Sequence, residues 1–312
     1  MKDDIIVGGA RPQIPGPHTC KTGRRSGTHV YFHDNTDRRK SKHTAKIVFI
    51  RERYSIMATT SKVIILTGAS RGIGLAVAHY LLKNAHKVVV VARSEAPLRD
   101  LEKQYPNDQV DVLTGDLSDF TLGSKAVNQA IKRWKKLDAV IINHGVLDPV
   151  RKIADSTIED WRAAYDVNFF SYVALAKAAI PALREAKGRI ILTSSGAATN
   201  GYSTWGAYGS SKAAVNHLAK TLATEEKQIT SIALRPGVVD TEMQRDIREK
   251  HNGFMDAGDA AKFAELKTSG GLLKPEQPGH VIAKLALDAS NELSGQFLNW
   301  NAEELKQYQV DE

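Results

Sequence analysis

From Lys62 onward the chain alternates between two textures. Short, almost unbroken apolar runs stand at residues 63–66, 87–91, 110–113, 139–142, 189–192 and 229–234, with a shorter one at 296–298. Strands that are apolar throughout, not on every second residue, are covered on both faces, as in a parallel sheet. Between the runs lie stretches with apolar residues at helical spacing. These predict helices over 72–83, 122–134 and 207–226, and Ser156-Thr-Ile-Glu159 predicts a capping box at the head of another. Strand–helix alternation of this kind builds a doubly wound α/β parallel sheet with right-handed crossovers. No repeat of 20–50 residues interrupts it, so residues 57–312 read as one domain.

Residues 1–56 have a different character. They carry no period of 2 or 3.6, several turn-formers (Gly8, Gly9, Pro12, Pro15, Gly16, Pro17) and the basic cluster Arg38-Arg39-Lys40. Of the chain's 43 Lys and Arg, 12 fall here against 5 Asp and Glu, which leaves 31 basic and 30 acidic residues for the rest. Of the net charge of +8, all but one unit therefore belongs to this segment, and the domain is nearly neutral. It reads as a solvated extension without order, with Met57 as a candidate natural start. Non-specific contact with phosphate backbones is the competing reading, but no specific nucleic-acid partner is expected. The run 47–50 is too short for a signal-peptide core, and no run approaches the length of a membrane span. The single cysteine, Cys20, excludes an internal disulfide and fits a reducing, cytoplasmic setting.

Two motifs carry chemistry. The first apolar run ends in Thr67-Gly68-Ala-Ser-Arg71-Gly72-Ile-Gly74. Strand, glycine turn and helix in succession let backbone N–H groups and a helix N-terminus approach a pyrophosphate. The second run ends Val91-Ala92-Arg93-Ser94, where a site for NAD would place a carboxylate. Arg93 and Arg71 instead offer guanidinium groups suited to a 2′-phosphate, so NADP(H) is the expected cofactor. Further on stands Tyr208-Gly-Ser-Ser-Lys212. A phenol titrates near pH 10, and a lysine one helical turn away on the same face favours its anion. Ser195, thirteen residues before Tyr208, follows a strand end and points to the ligand crevice. Ser194 is the rival for that position and reads better as a brace for the turn.

In their order and spacing these residues resemble the short-chain dehydrogenase/reductase family, over about residues 57–312. The matching set is Thr67-Gly68-x3-Gly72-x-Gly74, Asp116, Asn143-x-Gly145, Asn168, Ser195, Tyr208-x3-Lys212 and Pro236-Gly237 with Thr241. The resemblance implies a Rossmann-like three-layer sandwich and catalysis by Asn168, Ser195, Tyr208 and Lys212. Tyr208 would be the general acid, Ser195 would polarise a carbonyl, Lys212 would bind the nicotinamide ribose, and Asn168 would hold a relay water. Cofactor contacts would come from Gly68, Ser70, Arg71, Gly72, Ile73, Gly74, Arg93, Asp116, Leu117, Asn143, Gly145, Pro236, Gly237, Val239 and Thr241, joined by Tyr208 and Lys212. No metal is called for. His144 departs from the family's small residue there, and is either a structural variant or a contact to substrate.

The stretch from Arg235 to Arg248, with Ser294-Gly-Gln-Phe-Leu-Asn-Trp300, is similar to a narrower branch, the yeast-type benzil reductases related to sepiapterin reductase. That implies reduction of a ketone or aromatic 1,2-diketone. Tyr202 and Trp205 either form a flat apolar wall for an aryl group or pack a loop. Residues 242–271, with glycines at 253, 258, 270 and 271, predict a helical lid. Alcohol oxidation with NADP+ and non-catalytic sensing of NADP(H) are the alternatives. The family also implies a homodimer or homotetramer built on residues 156–186 and 207–226.

Overall fold

The computed structural model describes residues 61–309. The expectations for residues 1–56, including the start at Met57, fall outside them. Seven strands form: β1 (Val63–Thr67), β2 (Lys87–Ala92), β3 (Val110–Thr114), β4 (Ala139–Ile142), β5 (Arg189–Thr193), β6 (Thr230–Arg235) and β7 (Phe297–Asn299). They make one sheet in the order β3-β2-β1-β4-β5-β6-β7, with every pair parallel. The order reverses between β1 and β4, which opens a crevice at their C-terminal ends.

The unbroken apolar runs are explained by the two cores they feed. Ile64, Leu66, Val88 and Val90 face one side of the sheet, where α1 (Gly72–Lys83), α2 (Glu95–Glu102) and α9 (Glu276–Asp288) pack. Val63, Ile65, Val89 and Val91 face the other side, under α3 (Thr121–Trp134), α5 (Ser171–Ala186) and α6 (Gly206–Glu225). Every residue of β1 is fully buried, and each of its aliphatic side chains, Val63 to Leu66, contributes on the order of 1.5–3 kcal/mol. A third, smaller apolar cluster lies beyond the strand ends. It joins Leu147, Val150, Trp205 and Tyr208 to Ile247 of α7 (Glu242–Glu249) and Phe263 of α8 (Ala257–Thr268).

Several boundaries differ from the apolar pattern. Thr67 and Thr193 extend their strands because they stay in register with Val91 and Leu234. Ile229 leaves its strand because its N–H bonds the Glu226 carbonyl in a turn, so β6 begins at Thr230. The capping box is shifted by one residue. Thr157, not Ser156, caps α4 (Ile158–Tyr165), with Asp160 and not Glu159 as the reciprocal partner. The Ser156 hydroxyl is already committed: it accepts from Trp161 Nε1 at 2.9 Å and donates to the Ile153 carbonyl at 3.1 Å. The lid residues do form helices, but of the four glycines expected as hinges only Gly270 has a left-handed backbone.

The glycine turn is tight because two of its residues nearly touch. A Cβ at Gly74 would fall 2.0 Å from the Gly68 carbonyl oxygen and 2.8 Å from Asn143 Nδ2, and Gly68 itself has φ +67°. Gly74→Ala is expected to destabilise the fold by about 1–3 kcal/mol. Thermal unfolding checks this, and an unchanged Tm would contradict the close approach.

Candidate active site

The crevice holds one cavity of about 580 Å³ that runs from Arg93 at its open end to Trp205 and Phe263 at the other. Most of the expected cofactor contacts line it: Gly68, Ser70, Arg71, Gly72 and Ile73 from the turn, Arg93, Asp116 and Leu117 from the ends of β2 and β3, and Asn143 and Gly145 after β4. Pro236, Gly237, Val239 and Thr241 close it from beyond β6, and Ser195, Tyr208 and Lys212 also face it. Gly74 and Asn168 do not. Gly74 lies behind Gly68, and Asn168 is completely buried.

Each residue is placed by a local cause. Asn168 sits in a single π-helical turn (Asp166–Phe170) that joins α4 to α5. Its amide clamps the loop after β4, accepting from Val146 N–H at 2.9 Å and donating to the Val146 carbonyl at 2.8 Å. Asn143 ties the turn to β5: its side chain donates to the Gly68 carbonyl at 3.4 Å and accepts from Thr193 Oγ1 at 3.2 Å. The head of α1 has no side-chain cap, so its first N–H groups remain for a ligand. This uncapped end, the Gly68–Gly74 approach and the length of the cavity together fit a dinucleotide.

Tyr208 and Lys212 lie one turn apart on α6, both nearly buried. Burial raises the Tyr208 pKa, and a hydrogen bond with the Ser195 hydroxyl acts in the opposite direction. Ser195 Oγ also accepts from Ala197 N–H at 3.1 Å, which fixes the turn that follows β5. Ser194 points elsewhere and donates to Asn216 Oδ1 at 2.6 Å. Burial draws the Lys212 pKa down to about 7. Its ammonium donates to Tyr172 Oη at 2.9 Å and to the Thr193 carbonyl at 3.0 Å, and sits 6.0 Å from the centre of the Tyr208 ring. Tyr172 was not anticipated from the sequence. It stands forty residues from Lys212, and nothing local distinguishes it from an ordinary core aromatic.

His144 lines the cavity, and both of its ring nitrogens are engaged by the fold. Its Nδ1 lies 2.8 Å from Thr67 Oγ1, and its Nε2 lies 3.0 Å from the Val167 carbonyl and 2.7 Å from Ser171 Oγ. A carbonyl can only accept, so Nε2 carries the proton and Nδ1 accepts from Thr67. Desolvation, with the charge of Lys212, pulls its pKa down to about 3. It is neutral in this fold at any ordinary pH.

The two cations expected at the adenosine end differ in their surroundings. Arg71 is paired with Glu242, at the head of α7, whereas Arg93 has no ion pair among the described residues and its charge acts on Asp116. At the other end Trp205 stacks on Phe263 with ring centres 5.4 Å apart, and Tyr202 meets both at 4.8 and 5.9 Å. Phe263, in α8, is a wall residue that no local sequence signal singles out.

Residues 62–252 match the family profile described as short chain dehydrogenase. The chain belongs to the short chain dehydrogenase family. The dehydrogenase is 48% identical over 246 residues to an oxidoreductase of Schizosaccharomyces pombe, across 78% of this chain and 98% of the relative. It is 38% identical over 256 residues to a benzil reductase ((S)-benzoin forming) of Saccharomyces cerevisiae, across 78% and 97%. The crystal structure of a short chain dehydrogenase/reductase from Saccharomyces cerevisiae superposes with a TM-score of 0.78 at 41% identity, covering 80% of this chain and all of that one. The family is one of oxidoreductases that use a nicotinamide cofactor. No helix among the described residues is long and apolar enough to cross a membrane.

The buried imidazole sets a pH dependence. The folded pKa of His144 lies below its unfolded value of about 6.5, so protonation favours the unfolded chain. Its stabilising contribution is complete above pH 6.5 and is lost as pH falls toward 3, by about 1.4 kcal/mol per unit. Denaturant unfolding between pH 6 and 4.5 is expected to lose stability more steeply in the unmodified protein than in His144→Asn. Equal slopes would exclude the assignment.

Proposed function

We propose that this dehydrogenase reduces a ketone or 1,2-diketone to the hydroxy compound with NADPH, and that Tyr208 gives the proton. The observation that carries the reading is the convergence of Ser195, Tyr208 and Lys212 on a cavity whose far end is aromatic. When bound, the nicotinamide cofactor supplies the hydride that goes to the carbonyl carbon. The hydroxyls of Ser195 and Tyr208 face the same space and would share the carbonyl oxygen as negative charge develops on it. Tyr208 then passes its phenolic proton to that oxygen.

Burial keeps the phenol protonated at neutral pH, which suits a donor and hence the reductive direction. The Lys212 ammonium, held by Tyr172 and Thr193, offsets the cost of the phenolate left behind. Asn168 acts by holding the loop after β4, with a relay water as its further assigned role. The relatives named benzil reductase, in Saccharomyces cerevisiae and in Bacillus cereus at 32% identity, support a diketone as substrate.

The preference for NADPH rests on the end of β2. Arg93 is exposed at the cavity mouth, where NAD-specific sites carry a carboxylate. Arg71, also at the mouth, would add to it once shared with Glu242. Arg93→Asp is expected to lower kcat/KM for NADPH at least tenfold and to raise that for NADH. An unchanged NADPH/NADH ratio would exclude a 2′-phosphate contact at this residue.

The direct test is NADPH oxidation, followed by absorbance, with benzil beside simple ketones, quinones and pterins. Tyr208→Phe is expected to lose at least a hundredfold in kcat while its NADPH affinity stays within about threefold. Turnover retained in that variant would remove Tyr208 as the acid. NADPH binding without reduction of any carbonyl would turn the reading toward a sensor.

A further inference from the structure

The aromatic end of the cavity contains polar groups that nothing in the fold uses. Gln244 lies in α7 and is 3% exposed, and neither its amide nitrogen nor its amide oxygen has a hydrogen-bond partner. Trp205 is 6% exposed, and its indole N–H is likewise unpartnered. Both residues line the cavity. Buried polar groups in folded proteins are satisfied with few exceptions, so two unpartnered side chains on one cavity call for an explanation.

Position supports the same conclusion. Gln244 precedes Ile247 by three residues and so shares its face of α7. The Ile247 side chain packs in the cluster of Trp205, Tyr208 and Phe263, which directs the amide's face toward that end of the cavity. The Trp205 ring stands edge-on to the Tyr208 ring with centres 6.0 Å apart. It is held there at a cost. Thr204, the residue before it, is buried with φ +71° and an unpartnered hydroxyl. A β-branched residue in the left-handed region is strained and persists only where the surroundings impose it.

We propose that Gln244 and Trp205 recognise a second oxygen on the substrate, a neutral acceptor such as the carbonyl next to the one reduced. The indole N–H can only donate, and the amide NH2 adds further donors, so an acceptor oxygen satisfies these donors and leaves Gln244 Oε1 as the one group of the pair it does not meet. The oxygen belongs to an otherwise apolar group, because Leu147, Ile247 and Phe263 line this end of the cavity beside Trp205. Without that oxygen the two donors stay unpaired in the complex, and a site built to hydrogen-bond a group discriminates strongly against the analogue that lacks it. Gln244 and Trp205 are therefore specificity residues that separate a 1,2-diketone from a simple aryl ketone. The inference rests on the proposed ketone-reductase reading and deepens it.

The test compares benzil with benzyl phenyl ketone, which has the same carbon skeleton and one oxygen fewer. For each ketone, kcat/KM with NADPH and the Kd for the protein saturated with NADP+ are measured in the unmodified chain, Gln244→Met and Trp205→Phe. The diketone-to-monoketone ratio is expected to fall at least tenfold in Gln244→Met and at least threefold in Trp205→Phe, in both turnover and binding. Taking the ratio removes the intrinsic reactivity of the two ketones and any general loss of activity. Ratios within twofold of the unmodified protein in both variants would overturn the inference and leave the reductase reading intact. No turnover of either ketone, with the binding ratio still falling, would uphold the inference and overturn the reductase reading. Equal affinity of the unmodified protein for both ketones, or for neither, would overturn it outright.

Discussion

A buried ammonium organises the centre of this molecule. Lys212 is 2% exposed, and a cation taken out of water must be hydrogen-bonded or neutralised. It is met by the Tyr172 hydroxyl and the Thr193 carbonyl, and the Tyr172 ring stands beneath it at 4.7 Å. Tyr172 can accept from Lys212 because it gives its own proton to the His144 carbonyl at 2.6 Å. His144 in turn takes a proton from Thr67, whose oxygen also receives the Asn143 N–H. One chain of donors thus runs from α6 through α5 and the loop after β4 to the end of β1. The glycine turn and the phenol, far apart in sequence, are held in one frame by the need to satisfy a single charge.

The cavity is polar at its mouth and apolar at its depth, and the two ends obey different physics. At the mouth Arg71, Arg93 and Asp116 are in contact with solvent, where salt screens them and they add little to the stability of the fold. At the depth Leu147, Trp205, Ile247 and Phe263 exclude water, so every hydrogen bond made there is stronger and every one left unmade is costlier. Ser195 and Tyr208 stand where the two regimes meet, as a reaction that develops charge on one oxygen requires.

Much of the fold was written in short-range pattern. Continuous apolar runs announced a sheet covered on both faces, and Gly68, Gly72 and Gly74 marked where backbone approaches backbone. The part that local pattern does not carry is the part made by contacts across the chain. Tyr172 and Phe263 look like any helical aromatics until α6 and Trp205 come to meet them. His144 looked open to either role, and the fold engages both of its ring nitrogens. Ser156 and Thr157 are equally good caps by type, and the choice fell to Thr157 only because Trp161 and Ile153 occupy the Ser156 hydroxyl. Helix α2 was not foreseen because it buries only Leu98 and Leu101, too few for a period to show.

The lid is attached at separated points, and their strengths are unequal. Its far end is tied by backbone: Asp240 N–H bonds the Leu273 carbonyl at 2.8 Å, and Leu273 N–H bonds the Val238 carbonyl at 3.0 Å. Its near end is tied by the exposed Arg71–Glu242 pair, of a kind that contributes at most about 1 kcal/mol. Its middle rests on the Trp205–Phe263 stack, with ring planes 20° apart, a geometry worth about 0.5–1.5 kcal/mol beyond the area it buries. The segment is therefore held most firmly at Leu273, by two backbone hydrogen bonds, and least firmly at its exposed ion pair with Arg71.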